Sequence, residues 1–144
     1  MNFMSAREFI DTNVLVYAHD DRHPARQAAA RELIARLMRE RRGVLSLQVL
    51  QEFYSAATRK LSMSGEAAKA RIIHYIQFEV ITLAPADVLA AIDLQRLHRW
   101  SFWDSLIVRA ALKGTCARLH TEDMHSGQVI ETVRIHNPFA VHQD

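Results

Sequence analysis

The sequence predicts an α/β fold, a three-layer α/β/α sandwich around a mainly parallel sheet. Short β-like apolar runs alternate along the chain with stretches whose apolar residues recur at helical spacing. The helical stretches between strands are long enough for the crossover connections that parallel strands require. Gly and Pro are scarce, four and three in 144 residues, which leaves little chain for loops or linkers. That length suits one domain with a sizeable core, and no repeat or low-complexity tract divides it.

The elements follow in order. Glu8-Phe9-Ile10 is the first strand and leads into Asp11, and the segment from Asn13 to Ala18 that follows is largely apolar. Pro24 suits the first turn of a helix running to about Arg42, with Ala30, Leu33, Ile34, Leu37 and Met38 as its apolar stripe. Arg36, Arg39, Glu40 and Arg42 lie mostly off that stripe, as a solvated face does. Gly43 is expected to end this helix. Val44-Leu45 reads as a short buried strand, and Ser46 caps a helix with Leu47, Leu50, Tyr54, Ala57 and Leu61 on one face. A further helix spans about Gly65 to Phe78 with Ile72, Ile73 and Ile76 inward, followed by a strand, Val80-Ile81-Thr82-Leu83. Pro85 opens a helix to about His98, Trp100-Ser101 marks a break, and the next helix runs from about Phe102 to Lys113, closed by Gly114. Ala117 to His120 and Val133 to Ile135 are the remaining strands.

The formal charge of +2 and a pI near 9.0 lean mildly towards anionic partners. Fifteen of the 18 basic residues are arginine, whose planar fork suits phosphate, although a compositional bias gives the same count. No apolar run approaches the roughly 20 residues that cross a bilayer. Met1 to Arg7 lacks the charged-then-apolar order of a secretory signal. The single cysteine, Cys116, has no internal partner, so a reducing cytoplasm is the expected location.

Ligands of parallel α/β sheets bind beyond the carboxyl ends of the strands. Asp11 ends the first strand, and Asp123 lies just past the strand that ends near His120. Asp104 falls in the first turn of its helix, and Glu52 lies on the helix after the second strand, off its apolar stripe. Each has an ordinary reading as well. Asp11 suits a helix N-cap, Asp104 a capping box with Ser101, Asp123 a turn before Gly127, and Glu52 a solvated surface. Together at one sheet edge, such carboxylates repel unless a cation neutralises them. Hard oxygen donors suit Mg²⁺ or Mn²⁺, as one or two ions, which activate water and neutralise charge in phosphodiester hydrolysis. No serine, cysteine or histidine stands out as a nucleophile. Composition and spacing show neither that the four acids converge nor why Glu52 stands above its neighbours.

The same residues carry a resemblance. Asp11-Thr12-Asn13-Val14-Leu15-Val16-Tyr17-Ala18 resembles the opening motif of PIN domains, and Ser46 to Phe53, with Glu52, the family's second acidic position. Phe102 to Ala111, with Asp104, resembles the third, and Leu119-His120-Thr121-Glu122-Asp123-Met124, followed by Gly127-Gln128, the fourth. Ser105 stands where alanine is more usual. The motifs span the chain, which reads as a single PIN domain over residues 1–144. The resemblance implies an endoribonuclease dependent on Mg²⁺ or Mn²⁺. It implies Asp11, Asp104 and Asp123 as metal-binding carboxylates, with Glu52 completing the pocket directly or through water. It implies Asn13 and Thr121 as residues that hold the pocket by hydrogen bonds. A free-standing PIN protein of this size is most similar to VapC-type toxins of toxin–antitoxin pairs, which adds an RNA substrate, a homodimer and a small antitoxin that covers the acids.

Other signals point elsewhere with less force. His19 and His23 have zinc-ligand spacing on a helix, but Pro24 follows directly. Cys116 and His120 sit about 13 Å apart in an extended strand, too far for one ion. Trp100, Phe102 and Trp103 suit base stacking or, more simply, packing. A haloacid-dehalogenase-like phosphatase also places aspartate after its first strand, but needs another two positions on, where this chain has Asn13. A PIN fold kept as an RNA- or protein-binding module is the non-catalytic alternative.

Overall fold

Phe9, Val44, Leu119 and Ile135 stand side by side in register and are almost wholly buried, as residues of central strands covered on both faces are. The computed structural model describes residues 6–140. Met1 to Ser5, part of the segment read for a leader, lie outside these. In order, the elements are β1 (Arg7–Ile10), α1 (Thr12–Tyr17), α2 (Pro24–Glu40), β2 (Gly43–Ser46), α3 (Leu47–Lys60), α4 (Gly65–Tyr75), β3 (Glu79–Ile81), α5 (Pro85–His98), α6 (Phe102–Lys113), β4 (Cys116–His120), β5 (Val129–Ile130) and β6 (Val133–His136).

Among the described residues the six strands form one sheet in the order β3-β2-β1-β4-β6-β5. All neighbours are parallel except the β5–β6 hairpin. The fold is therefore the expected α/β/α sandwich. The chain winds outwards from β1 through β2 to β3, then returns to lay β4 on the other side of β1. The strand order reverses between β1 and β4, the place where such sheets open a crevice for ligands.

Several boundaries and faces differ from the sequence expectation. The first long helix ends at Glu40, and Arg41, in the left-handed region at φ 56, caps it in place of Gly43. Gly43 instead begins β2, where a Cβ would fall 2.2 Å from the Phe78 ring. Close approach of a side chain, not a turn, is what requires glycine there. The helix expected to reach Phe78 ends at Tyr75, with Ile76 as its cap. Its inward residues are Ala68, Tyr75 and partly Ile72, while Ile73 and Ile76 are 60% and 54% exposed. The expected stripe was one position off: Ala68, Ile72 and Tyr75 share the face that meets α3, where Tyr75 packs edge-on to Phe53. In α3 the buried residues are Val49, Leu50, Phe53 and Ala57, and Leu47 and Tyr54 are exposed. That helix is apolar around a wide arc, so spacing alone did not choose its inner side. β3 begins one residue earlier than expected, because Glu79 pairs with Val44. β5, only two residues long before the left-handed turn at Glu131, lies below what periodicity detects.

Candidate active site

The Asp11 amide donates to the His120 carbonyl at 3.0 Å, which carries the β1–β4 pairing one residue past the strand and buries the side chain. Asp11 then turns the chain into α1. Its Oδ1 accepts from the Thr12 amide at 2.7 Å, and its Oδ2 accepts from the Thr121 hydroxyl at 2.8 Å. The N-cap reading is thus realised by a carboxylate that also bonds across to the residue after β4. Thr121 follows β4 directly. Its oxygen accepts from the Asp123 amide at 3.1 Å and from Asn13 Nδ2 at 3.2 Å. The same Asn13 Nδ2 donates to Asp123 Oδ2 at 3.0 Å and lies 3.5 Å from Asp11 Oδ2. Asn13 and Thr121 therefore link the acids that follow β1 and β4.

Glu52 reaches the same place from α3, which Ser46 caps through the Val49 amide. Its Oε1 accepts from the Thr12 hydroxyl at 2.7 Å and its Oε2 from Gln48 Nε2 at 3.2 Å. Gln48 Nε2 also reaches the Trp103 carbonyl at 3.3 Å, which ties α3 to the first turn of α6, where Asp104 sits. Thr12 and Gln48 were not singled out in the sequence. The available signals were Thr12's place between Asp11 and Asn13, and Gln48's place one helical turn before Glu52. Half of the expected capping box forms at Asp104: its amide donates to Ser101 Oγ at 3.1 Å. Among the described residues its carboxylate has only the Ser101 hydroxyl close to it.

The electrostatics show the crowding. Asp11 is pushed up from 3.8 to about 7, chiefly by burial, with the Asp123 and Glu52 charges adding and the Thr121 and Thr12 hydrogen bonds opposing. Asp104 is raised by burial as well, with the Ser101 hydroxyl beside its carboxylate opposing and the charges of Asp123 and Glu52 adding. Glu122 is turned away from this group: its oxygens are taken by the Tyr17 hydroxyl and the Arg26 guanidinium.

Other sequence candidates separate from the site. His19 Nε2 bonds the Tyr75 hydroxyl at 2.7 Å, and His23 packs edge-on to Tyr17. The buried Cys116 thiol is pushed up to about 12 by burial, which leaves it unreactive. Trp100 stacks on His98, while Trp103 stands 62% exposed next to Asp104.

The sequence profile of the PIN domain matches residues 9–128, which takes in all four acidic positions. The chain belongs to the PIN-domain family. No curated protein matches its sequence. Among solved structures it is similar to Mycobacterium tuberculosis VapC20, a sarcin–ricin loop cleaving toxin, with a TM-score of 0.61. The identity is 19%, and the match covers 81% of this chain and 89% of that one, which establishes the shared fold.

The donors of this PIN domain fit a hard cation in kind. Asp11 and Asp104 each feel the charges of Glu52 and Asp123, the four have no basic partner among the described residues, and Asn13 Oδ1 is buried without a hydrogen-bond partner. They fit it less closely in number. Among the described residues no three His, Cys, Asp or Glu side chains are grouped tightly enough to grip one ion. Mg²⁺ commonly uses one or two carboxylates and keeps several waters, so a looser set of this kind is within its habit.

Proposed function

We propose that this PIN domain is an endoribonuclease dependent on Mg²⁺ or Mn²⁺, held as one or two ions by Asp11, Glu52, Asp104 and Asp123. One contrast carries the reading. Elsewhere among the described residues each carboxylate that is not exposed has a cation: Glu8 has Arg36 and Arg42, Asp20 has Arg22, Asp87 has Arg109 and Lys113, and Glu122 has Arg26. Asp11, Glu52 and Asp104 have none among the described residues, and they share their place with Asp123. Unpaired buried charge is costly, and a bound cation removes the cost.

A divalent ion would supply an activated water and neutralise charge on the phosphate and the leaving oxygen. The chain's own residues do the rest. Thr12 and Gln48 fix the two oxygens of Glu52, and Thr121 and Asn13 hold Asp11 and Asp123 at a set separation. The Asp104 carboxylate has no basic partner among the described residues and only the Ser101 hydroxyl close by, so it is open to a cation or a water. The fold shared with VapC20 supports the finer reading of a VapC-type toxin, which cuts RNA and is silenced by a small antitoxin. Exposed Leu89 and Leu97 on α5 supply apolar surface for the homodimer that this reading includes. No helix among the described residues is long and apolar enough to cross a membrane. A cytoplasmic location belongs to the VapC-type reading and is proposed with it.

The test is incubation of the purified chain with total cellular RNA in Mg²⁺, Mn²⁺ or EDTA, beside an Asp11→Asn, Asp104→Asn double variant. Discrete fragments with metal, absent with EDTA and in the variant, are expected. One observation favours the alternative of a non-catalytic binding module: the missing tight three-ligand group. RNA left whole by a folded chain in both metals would count against the nuclease and favour that alternative. The phosphatase reading finds no support, since the Asn13 amide donates to Thr121 and Asp123 where that class needs an acid.

A further inference from the structure

Glu122 lies between Thr121 and Asp123, yet its carboxylate serves a different set of partners. Its Oε1 accepts from the Tyr17 hydroxyl at 2.8 Å, and its Oε2 pairs with the Arg26 guanidinium. Arg26 also donates to the Tyr17 hydroxyl at 3.1 Å. Its guanidinium lies over the Tyr17 ring at 5.1 Å and the Phe139 ring at 5.4 Å, and those two rings meet edge-on at 4.9 Å. The end of α1, the first turns of α2 and the C-terminal segment thereby converge on one side chain. An isolated surface ion pair contributes little. This one is backed by a phenol and two aromatic faces, which restrict the guanidinium.

Asp123 needs such backing. It is exposed, its carboxylate has one protein hydrogen bond among the described residues, from Asn13, and its amide donates to Thr121. The chain around it carries no regular structure between His120 and Val129. Thr121 anchors this loop on the site side and Glu122 anchors it on the other, so that Asp123 returns towards Asn13. We propose that Arg26 and Tyr17, acting through Glu122, are positioning residues that set Asp123 for cation binding. The inference rests on the metallonuclease reading above. It assigns a role to residues outside the acidic group, one of them on a helix that contributes no acid to it.

The test uses the full chain and two readouts: Mn²⁺ binding without RNA, and the Mg²⁺ dependence of RNA cleavage. Arg26→Gln and Glu122→Gln are expected to weaken Mn²⁺ binding about tenfold or more, the scale of lost partners behind metal ligands. The Mg²⁺ needed for half-maximal cleavage should rise in proportion, while cleavage at saturating Mg²⁺ recovers to near the parent rate. Arg26→Lys, which keeps the charge, should restore most of the affinity. Glu122→Gln keeps the side-chain shape and the Tyr17 bond, so the fold survives, and circular dichroism verifies it. Folded variants that bind Mn²⁺ as the parent does overturn the positioning role alone, as does lost cleavage that added Mg²⁺ leaves unrestored. A parent that neither binds Mn²⁺ nor cleaves RNA overturns the metallonuclease reading, and the positioning role with it.

Discussion

Replacing Asp11 by asparagine should stabilise the metal-free protein, and the gain should depend on pH. Asp11 is buried and pushed up from 3.8 to about 7, first by burial and then by the Asp123 and Glu52 charges. An acid whose folded pKa lies above its unfolded value favours the fold most at low pH. Below about pH 4 the carboxyl is protonated in both states. Between pH 4 and 7 the unfolded chain releases the proton while the folded chain retains it, and stability falls by about 1.4 kcal/mol per pH unit. The whole loss is about 4 kcal/mol by pH 7, on an order-of-magnitude reckoning. Asparagine keeps an oxygen for the Thr12 amide and carries no charge, so the variant lacks this slope. Urea unfolding in EDTA at pH 5, 6, 7 and 8, parent against Asp11→Asn, measures it. The difference should move in the variant's favour by about 2.5 kcal/mol across that range. Added Mg²⁺ should then stabilise the parent and not the variant. A difference that stays constant with pH would refute the claim that Asp11 carries an uncompensated buried charge.

Three further outcomes follow from other contacts. Asp104→Asn should not lower urea stability in EDTA at pH 7 and should raise it, by less than Asp11→Asn does, since it removes a charge that burial and the Asp123 and Glu52 carboxylates disfavour. The same change should lower metal-supported RNA cleavage about a hundredfold or more, the consequence of losing several kcal/mol of ligation. Thr12→Val removes the hydroxyl that donates to Glu52 and keeps the branched shape, so metal affinity, followed by Mn²⁺ titration, should fall roughly 10- to 100-fold with little change in unfolding. Glu8→Gln should cost about 3 kcal/mol in urea unfolding at pH 7. Burial alone would raise the Glu8 carboxyl, but His120 and Arg36 outweigh it and lower it from 4.5 to about 2. Its contribution is present above about pH 4.5 and is lost as pH falls towards 2, so the parent and the variant should converge there.

The fold was legible because the strands that decide it are wholly buried and short: Phe9-Ile10, Val44-Leu45 and Leu119 leave no ambiguity of face. Faces of amphipathic helices were less legible. Tyr54 and Ile73 continue regular apolar stripes, yet both lie outside, because tertiary packing of Phe53 and Tyr75 chose the neighbouring arc. The acids themselves were legible in the sequence through strand ends and the PIN resemblance. Their supporting contacts were not. Gln48 and Thr12 act across 55 and 40 residues of chain, on Trp103 and Glu52, and no local pattern encodes such distances. The turn of Glu122 away from Asp123 was equally invisible, since adjacent acids look alike until Arg26 and Tyr17 are placed.

β1 shows how the fold treats two acids in opposite ways. Glu8 and Asp11 stand three residues apart and are both buried. Glu8 meets Arg36, Arg42 and His120, and its carboxyl is held near 2. Asp11 meets hydroxyl and amide donors only, and its carboxyl is pushed to about 7. β4 repeats the division, with His120 bonded to Glu8 and the next residue, Thr121, bonded to Asp11. Arginine is abundant in this chain, so a shortage of cations does not explain the difference. Compensation is built in at the start of β1 and withheld where β1 and β4 end, at the strand-order reversal. The fold gives one buried carboxylate three cationic or imidazole partners and its neighbour none among the described residues, and on that contrast the proposed cation site rests.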